Sequence, residues 1–210
     1  RVHLEEDAGK LTHVERNGET FSLVDLNRAG VPLLEIVSEP DMRSAEEARA
    51  YAMALRSILR YLRVNSGDMQ KGVMRVEPNI SLRPAGSTTL GTRTEIKNLN
   101  SFRALERATA FEIQRQGELL RKGQRVVQET RGWDDAQNIT LVQRTKEEAH
   151  DYRYFPEPDL PPLAVDSVWV ERVRSALPEL PRLRRLRFKE QYGLSDYESG
   201  VLTAERTAEI

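Results

Sequence analysis

Charged and polar side chains recur at every second position of the segment GVMRVEPNISLRP, residues 72–84. At a period of two, one face of a predicted strand carries Arg75, Glu77, Asn79, Ser81 and Arg83, and the other face is apolar. The polar face aligns a carboxylate, an amide, a hydroxyl and two guanidinium groups. Such a face is either solvated or part of a site that handles anions and a cation.

Three other predicted strands carry similar polar faces. They are residues 1–5 with His3 and Glu5, followed by Glu6 and Asp7; the segment LLEIV with Glu35; and the segment TRTEIKN with Arg93, Glu95 and Lys97. A carboxylate within an apolar strand must be exposed, paired or bound to a metal. If these strands are neighbours, carboxylates and basic groups converge on one concave sheet.

Carboxylates grouped in this way suit Mg²⁺, which binds one or two of them and keeps positions for phosphate oxygens and water. Arginine and lysine side chains would neutralise the phosphates. This set of groups fits ATP-dependent phosphoryl transfer, and the chain lacks the G-x-x-x-x-G-K-[ST] motif of P-loop enzymes. The alternative is a solvated sheet face on which opposite charges pair across strands.

The composition is that of a charged globular protein. Of the 210 residues, 39% are hydrophobic and 31% are charged, and the formal net charge is −1. A nucleic-acid partner would therefore need a local basic patch. The chain has no cysteine, which excludes disulfides and thiolate metal sites within this chain. No apolar segment approaches the ~20 residues of a membrane span, and we expect no signal peptide before the first motif. We expect the chain to be part of a longer polypeptide.

The pattern of apolar residues predicts a mixed α+β domain over residues 1–165 and the start of an all-helical domain over 166–210. Further strands are predicted at 20–27, 31–38, 125–130 and 139–144. One helix begins at the capping box of Ser44 and Glu47, and a second covers 101–121 with Gly123 after its end. The proline-rich segment 151–165 is expected to be extended. Two helices on one face would leave an open antiparallel sheet face.

The segment RLRRLRFK, residues 182–189, is strongly basic and has two interpretations. It could follow an RNA backbone. It could also be the solvated side of a helix that buries Leu183 and Leu186, which is the interpretation we favour.

Six motifs in order resemble one known family. The motifs are HLEEDAGKLTH, SLVDLNRAGVPLLEIVSEPDMRSAEEA, RVEPNISLRP, GTRTEIKNLNSF, QETRGWD and DYRYFPEPDLPPL. Together they resemble the B-subunit family of the aspartyl/glutamyl-tRNA amidotransferases, and the resemblance continues through YGLSDYESGVLT. The family implies an open antiparallel cradle of the glutamine synthetase–guanido kinase type, followed by a helical domain. Its N-terminal region, which often has a zinc-binding cysteine cluster, lies outside this chain.

The resemblance also implies a reaction and its partners. ATP and Mg²⁺ are used to phosphorylate the side-chain carboxylate of glutamate or aspartate misacylated onto tRNA. Ammonia from the glutaminase, which is the A subunit of the enzyme, then displaces phosphate, and a small C subunit completes a heterotrimer. The expected location is the cytoplasm of bacteria or archaea, or an organelle in eukaryotes. The alternative function is that of a non-catalytic tRNA-binding or assembly protein.

By motif, the resemblance implies roles for ten residues. Mg²⁺ ligands are Glu6, Glu35 and Glu77, with Glu5 as an alternate ligand; Glu95 and Lys97 line the same site; and Arg75, Asn79, Arg83 and Arg93 are candidates for nucleotide or substrate contacts. The family commonly has R-C-D-A-N where this chain has RVEPN. Glu77 therefore extends its carboxylate by one methylene, and Pro78 removes a backbone donor, which predicts an edge strand or a bulge.

Overall fold

A computed structural model of the chain describes residues 1–16, 18–145 and 162–206. The chain forms two compact units, Arg1–Met42 and Arg43–Ile210. The predicted extended segment 151–165 lies mostly outside the described residues. The predicted division at residue 165 stays a prediction.

The first unit consists of two antiparallel ribbons of two strands each. Strand β1 (Val2–Glu6) pairs with β4 (Pro32–Ile36), and β2 (Lys10–Arg16) pairs with β3 (Glu19–Asp25). The strands predicted at 1–5, 20–27 and 31–38 are thus confirmed with shifted ends, and β2 is an additional strand. The alternation that predicts β1 and β4 does not identify them as partners, because their pairing joins segments far apart in the chain. Strands β2 and β3, in contrast, follow each other directly, and Arg16 pairs with Glu19.

The second unit contains a four-stranded sheet and two long helices. The strands are β5 (Asn79–Ile80), β6 (Thr94–Lys97), β7 (Glu129–Asp134) and β8 (Ile139–Thr145), in that spatial order. The helices are α1 (Ala45–Tyr61) and α2 (Phe102–Arg121). Their core is formed by eight buried residues: Ala52, Ile80, Ile96, Leu99, Ala104, Leu105, Ala108 and Trp133.

The helix ends follow the sequence closely. The Ser44 hydroxyl accepts a hydrogen bond from the Glu47 N–H at 3.2 Å, while the Glu47 carboxylate accepts from the N–H of Arg43 rather than from that of Ser44. Ser101 caps α2 in the same manner, and Gly123 follows α2 with φ of 71°. Such a positive φ is the reason that glycine is favoured after a helix.

The α+β class is confirmed, but the prediction of one open antiparallel sheet is wrong. The strands form three separate sheets, and β6 pairs with β7 in parallel. The parallel pairing arises because α2 connects β6 to β7, and a long crossover returns the chain in the same direction.

The prediction of one long strand over 72–84 is also wrong, because most of these residues make no strand hydrogen bonds. Only Asn79–Ile80 pairs as a strand, because Pro78 has no N–H to donate and a turn around Gly72 precedes it. The alternation of exposure nevertheless survives: Met74 and Ile80 are buried, and Arg75, Glu77 and Asn79 are exposed. The β7 prediction at 125–130 lies four residues too early.

Three short helices end the described chain: α3 (Ser167–Ser175), α4 (Pro181–Tyr192) and α5 (Asp196–Leu202). Pro181 begins α4, and Gly193 ends it with φ of 64°, which are the positions where helices favour proline and glycine. The Tyr61 hydroxyl donates to the Thr203 carbonyl at 2.7 Å, which attaches the end of α5 to α1.

The face that α4 buries differs from the predicted one. Leu183 and Leu186 are 58% and 45% exposed, whereas Arg184 and Phe188 are buried. The Arg184 guanidinium lies over the Phe188 ring at 5.3 Å and donates to the Arg206 carbonyl at 3.1 Å. The ring contact and this hydrogen bond accompany the burial of the guanidinium, although its Nε makes no hydrogen bond among the described residues.

Candidate active site

A cluster of potential metal ligands lies on the β1–β4 ribbon. His3 is directly opposite Glu35 in the antiparallel register, and Glu5 follows His3 two residues along β1. Side chains at these positions share one face of the ribbon. One ligand atom from each of the three side chains lies within 4.8 Å of the other two. We name His3, Glu5 and Glu35 the cation cluster.

The ribbon fixes the arrangement of this cluster. The His3 Nδ1 and Glu35 Oε2 atoms are 2.9 Å apart, so the imidazole orients the carboxylate. At the far end of the ribbon, the Asp7 carboxylate pairs with Arg28 at 2.7 Å, and backbone hydrogen bonds link Asp7 to Gly30 and Val31. These contacts hold the end of β1 against the turn that leads into β4.

The structure groups Glu5, and not Glu6, with Glu35. Glu6 is opposite Pro32 and shares the other face of the ribbon with Val2 and Leu4. Adjacent residues of a strand point to opposite faces, so only one of Glu5 and Glu6 can accompany Glu35. The sequence contained a signal for His3, since it alternates with Glu5, but a single histidine next to a charged strand end is weak evidence.

The donor set of the cation cluster fits a divalent cation. Glu5 and Glu35 offer the one or two carboxylates that Mg²⁺ takes, and carboxylate oxygens suit Mn²⁺ as well. The fit rests on the type and proximity of the donors.

A second group of charges lies on the four-stranded sheet of the second unit. The Lys97 ammonium donates to Glu77 Oε2 at 2.7 Å and lies 3.5 Å from Glu95 Oε1. Burial by itself would lower the pKa of Lys97, but the hydrogen bond to Glu77 and the charges of Glu77 and Glu95 raise it overall. We name Glu77, Lys97 and Glu95 the lysine row. In this row the protein's own ammonium lies between the two carboxylates.

The remaining predicted site residues are dispersed around this sheet. Asn79 pairs with Glu95 across β5 and β6, so the structure brings these two together. Arg83 donates to the Thr88 carbonyl at 3.0 Å, within its own loop. Arg75 and Arg93 are exposed. Nucleotide or substrate contacts by these four residues stay predictions.

A buried charge network on the other face of the sheet was not predicted. Glu112 on α2 is fully buried and accepts two hydrogen bonds from Arg115, at 2.9 and 2.6 Å. Arg131 on β7 donates to Glu129 and to Thr140, both within 2.7 Å. A buried carboxylate is tolerated only when it is paired and hydrogen-bonded. The network therefore joins α2 to β7 and β8 and has a structural role.

Neighbouring acidic groups offset much of the basic segment on α4. Arg187 makes two hydrogen bonds to Glu179, at 2.9 and 2.8 Å. Lys189 and Arg185 both contact Asp196, at 2.9 and 3.4 Å. These pairs weaken the case for an RNA-binding surface formed by this helix, and RNA contact stays the less favoured interpretation of the segment.

Residues 1–171 match the family model described as the GatB/GatE catalytic domain, which is well over half of the chain. The chain belongs to this family. The resemblance of the sequence motifs to the amidotransferase B-subunit family is thereby confirmed, and the cation cluster and the lysine row both lie within the matched residues.

Curated relatives agree with the family assignment. The chain is 59% identical over 206 residues to the B subunit of the aspartyl/glutamyl-tRNA(Asn/Gln) amidotransferase of Moorella thermoacetica, covering 98% of this chain and 43% of that protein. It is 58% identical over 207 residues to the protein of the same name from Roseiflexus sp., covering 99% and 42%. This GatB/GatE-family chain thus spans about two fifths of the length of these relatives.

Within the described part of this GatB/GatE-family chain, none of the helices is both long and apolar enough to span a membrane.

Proposed function

We propose that this chain is the catalytic part of the B subunit of an aspartyl/glutamyl-tRNA amidotransferase. In this proposal it uses ATP and Mg²⁺ to activate the side-chain carboxylate of glutamate or aspartate misacylated onto tRNA(Gln) or tRNA(Asn). The family match and the relatives' names support the assignment. The single observation that carries the chemistry is the cation cluster, in which ligand atoms of His3, Glu5 and Glu35 lie within 4.8 Å of one another.

The proposed reaction has two steps. A carboxylate oxygen of the aminoacyl side chain attacks the γ-phosphorus of ATP, ADP leaves, and an acyl phosphate forms. Ammonia then attacks the acyl carbon, the bond to the phosphate oxygen breaks, and phosphate leaves with one proton of the ammonia as the amide forms. Activation is required because a carboxylate is a poor acyl donor, whereas an acyl phosphate is a good one.

The first step brings two anions together, so the site must offset their repulsion. Glu5 and Glu35 would hold the cation, and His3 would keep the Glu35 carboxylate in its orientation. Mg²⁺, when bound, neutralises charge on the phosphate oxygens. A role for Glu6 or Glu77 as an additional ligand is a prediction from the family motif.

The lysine row would contribute a positioned hydrogen-bond donor. An ammonium group has three N–H donors, and Glu77 and Glu95 are the acidic partners of Lys97 among the described residues. By the family motif, a third N–H of Lys97 would bind an oxygen of the substrate. Preorganised donors of this kind stabilise charge that develops in the transition state.

The proposal includes the partners of the assembly. Ammonia would come from the glutaminase, which is the A subunit, with a small C subunit completing the enzyme, and misacylated tRNA would be the substrate. A cytoplasmic location fits bacterial relatives; for a eukaryotic source it would be an organelle.

Substitution of Glu35 tests the proposed function. In the assembled enzyme that contains the full-length protein, Glu35→Gln removes a carboxylate of the cation cluster with little change in shape. Substitution of a group that only supports a metal ligand lowers metal affinity or activity by about 10–100-fold. Because Glu35 would be a ligand itself, we expect the rate of ATP-dependent amide formation on tRNA to fall by about 100-fold or more. Binding of tRNA, measured by filter retention, should not change.

Glu15→Gln is the matched control, because Glu15 is exposed on the β2–β3 ribbon of the same unit. It should retain wild-type amide formation. Full amide formation by Glu35→Gln would show that the cation cluster takes no part in the reaction. A wild-type assembly that binds tRNA without forming amide would instead favour a non-catalytic binding protein.

A further inference from the structure

A buried threonine on β7 contacts the lysine row from the neighbouring strand. Thr130 is directly opposite Glu95 in the parallel pairing of β7 with β6, and it is 1% exposed. Its hydroxyl donates a hydrogen bond to Glu95 Oε2 at 2.9 Å. Hydrogen bonds to a charged acceptor are roughly twice as strong as those between neutral groups.

The two oxygens of the Glu95 carboxylate have different partners. Oε2 accepts from Thr130, and Oε1 lies 3.5 Å from the Lys97 ammonium. The hydroxyl therefore fixes the rotation of the carboxylate and keeps its other oxygen directed at Lys97. A side chain whose rotamer is held by a neighbouring hydrogen bond is more precisely placed than one that is free to rotate.

The backbone that carries Thr130 is itself restrained. The pairing of β7 with β8 shifts register between Thr130 and Arg131, which leaves Gln143 as an extra residue of β8. Directly after this irregularity, Arg131 is anchored by Glu129 and Thr140 on the helix-facing side. Bulges of this kind re-aim side chains and occur often beside active sites.

We propose that Thr130 is a positioning residue, which holds Glu95 so that the Lys97 ammonium is directed at the reacting substrate. The inference rests on the proposed function, in which Lys97 donates a hydrogen bond to the substrate. Thr130 would act only through Glu95 and would not contact the substrate itself. Its loss should therefore affect the chemical step more than substrate binding.

Three variants of Thr130 test this role in the assembled enzyme. Thr130→Val keeps the shape and removes the hydroxyl, Thr130→Ala also lacks it, and Thr130→Ser retains it. We expect kcat for ATP-dependent amide formation to fall about tenfold in the first two, as for the loss of one hydrogen bond to a charged group. KM for ATP and for tRNA should change by less than about twofold, and Thr130→Ser should restore most of kcat.

Thr203→Val is the matched control. Thr203 is a buried threonine at the end of α5, and its hydroxyl donates to the Ser199 carbonyl at 2.7 Å without contacting the lysine row. Its substitution removes a buried, hydrogen-bonded hydroxyl and should lower the melting temperature with kcat unchanged. A parallel loss of kcat in Thr203→Val would show that the enzyme responds to any lost buried hydroxyl and would overturn the inference.

A double substitution tests whether Thr130 acts through Glu95. In a Glu95→Gln background, Thr130→Val should cause no further loss of kcat, since the group that it positions has already been altered. The inference would be overturned if the two substitutions lowered kcat by the product of their separate effects. It would also be overturned by wild-type kcat in both Thr130→Val and Thr130→Ala, or by a Thr130→Ser variant as slow as Thr130→Val. An inactive wild-type assembly would instead remove the proposed function on which it rests.

Discussion

The β1–β4 ribbon and the four-stranded sheet each bring two glutamates together, but a histidine accompanies the first pair and a lysine the second. In the cation cluster, His3 orients Glu35 at 2.9 Å, and Glu5 is near both. In the lysine row, Lys97 contacts Glu77 at 2.7 Å and Glu95 at 3.5 Å. The two glutamates of the cation cluster are thus suited to binding a metal ion, whereas those of the lysine row are already paired with the ammonium of Lys97.

The difference shows why a count of acidic residues is a poor guide to metal sites. Glu77 resembles Glu35 in the sequence, since each is an isolated carboxylate between apolar residues. What separates them is the neighbour that the strand pairing brings, an imidazole for Glu35 and an ammonium for Glu77. An ammonium at 2.7 Å from Glu77 already supplies one positive charge, half of what a divalent cation would bring.

The largest expected effect comes from placing a lysine side chain within the cation cluster, as the lysine row has. Glu5→Lys in the full-length protein should weaken Mn²⁺ binding by more than about 100-fold. It replaces a carboxylate ligand with an ammonium group, which is positively charged like the metal ion. Glu6→Lys makes the same change of charge on the opposite face of the ribbon. It should weaken binding by no more than about fivefold, as expected for a solvent-screened charge. Titration with Mn²⁺ followed by electron paramagnetic resonance measures both.

Equal losses in these two variants would contradict the assignment of Glu5 and Glu6 to different faces. A larger loss in Glu6→Lys would favour the ligand set inferred from the family motif over the one that the ribbon brings together.

A smaller effect is expected when the lysine row loses its cation. Lys97→Met should lower the free energy of unfolding by about 1 kcal/mol or less near pH 8, since the charged groups are partly exposed and solvent screens their attraction. Glu77 and Glu95 raise the pKa of Lys97 above its ordinary value of 10.5, although burial opposes them. The stabilisation is therefore complete below about pH 10 and is lost as the pH rises through the raised pKa.

Urea unfolding of the chain between pH 8 and pH 11 checks this dependence. The difference between wild type and Lys97→Met should shrink as the pH rises above the ordinary pKa of lysine. A difference that stays constant over this range would mean that the methylene stem of Lys97, and not its charge, stabilises the sheet.

The sequence predicted the elements better than their partners. Helix α2 is confirmed from its Ser101 cap to Gly123, because caps and glycine ends are local signals. The pairing of β1 with β4 and the parallel pairing of β6 with β7 depend on long-range contacts that no local pattern contains. For the same reason, alternation placed Glu5 and Glu6 on opposite faces of β1 but did not indicate which of these faces Glu35 would share.

Two buried charges show a second limit of the sequence. Glu112 and Arg184 would normally be assigned to solvated helix faces, yet both are buried. Their burial depends on partners far along the chain, such as Thr140 for Glu112 and the Arg206 carbonyl for Arg184. Such partners become visible only once the fold is known, which is why the buried face of α4 was predicted incorrectly.

The central claim is that Glu5 and Glu35, with Glu35 oriented by His3, hold a divalent cation, and anomalous diffraction tests it most directly. Crystals of the full-length protein soaked with Mn²⁺ should show an anomalous peak about 2.2 Å from carboxylate oxygens of Glu5 and Glu35, and no peak between Glu77 and Glu95. A peak in the lysine row with none at the cation cluster would contradict the account.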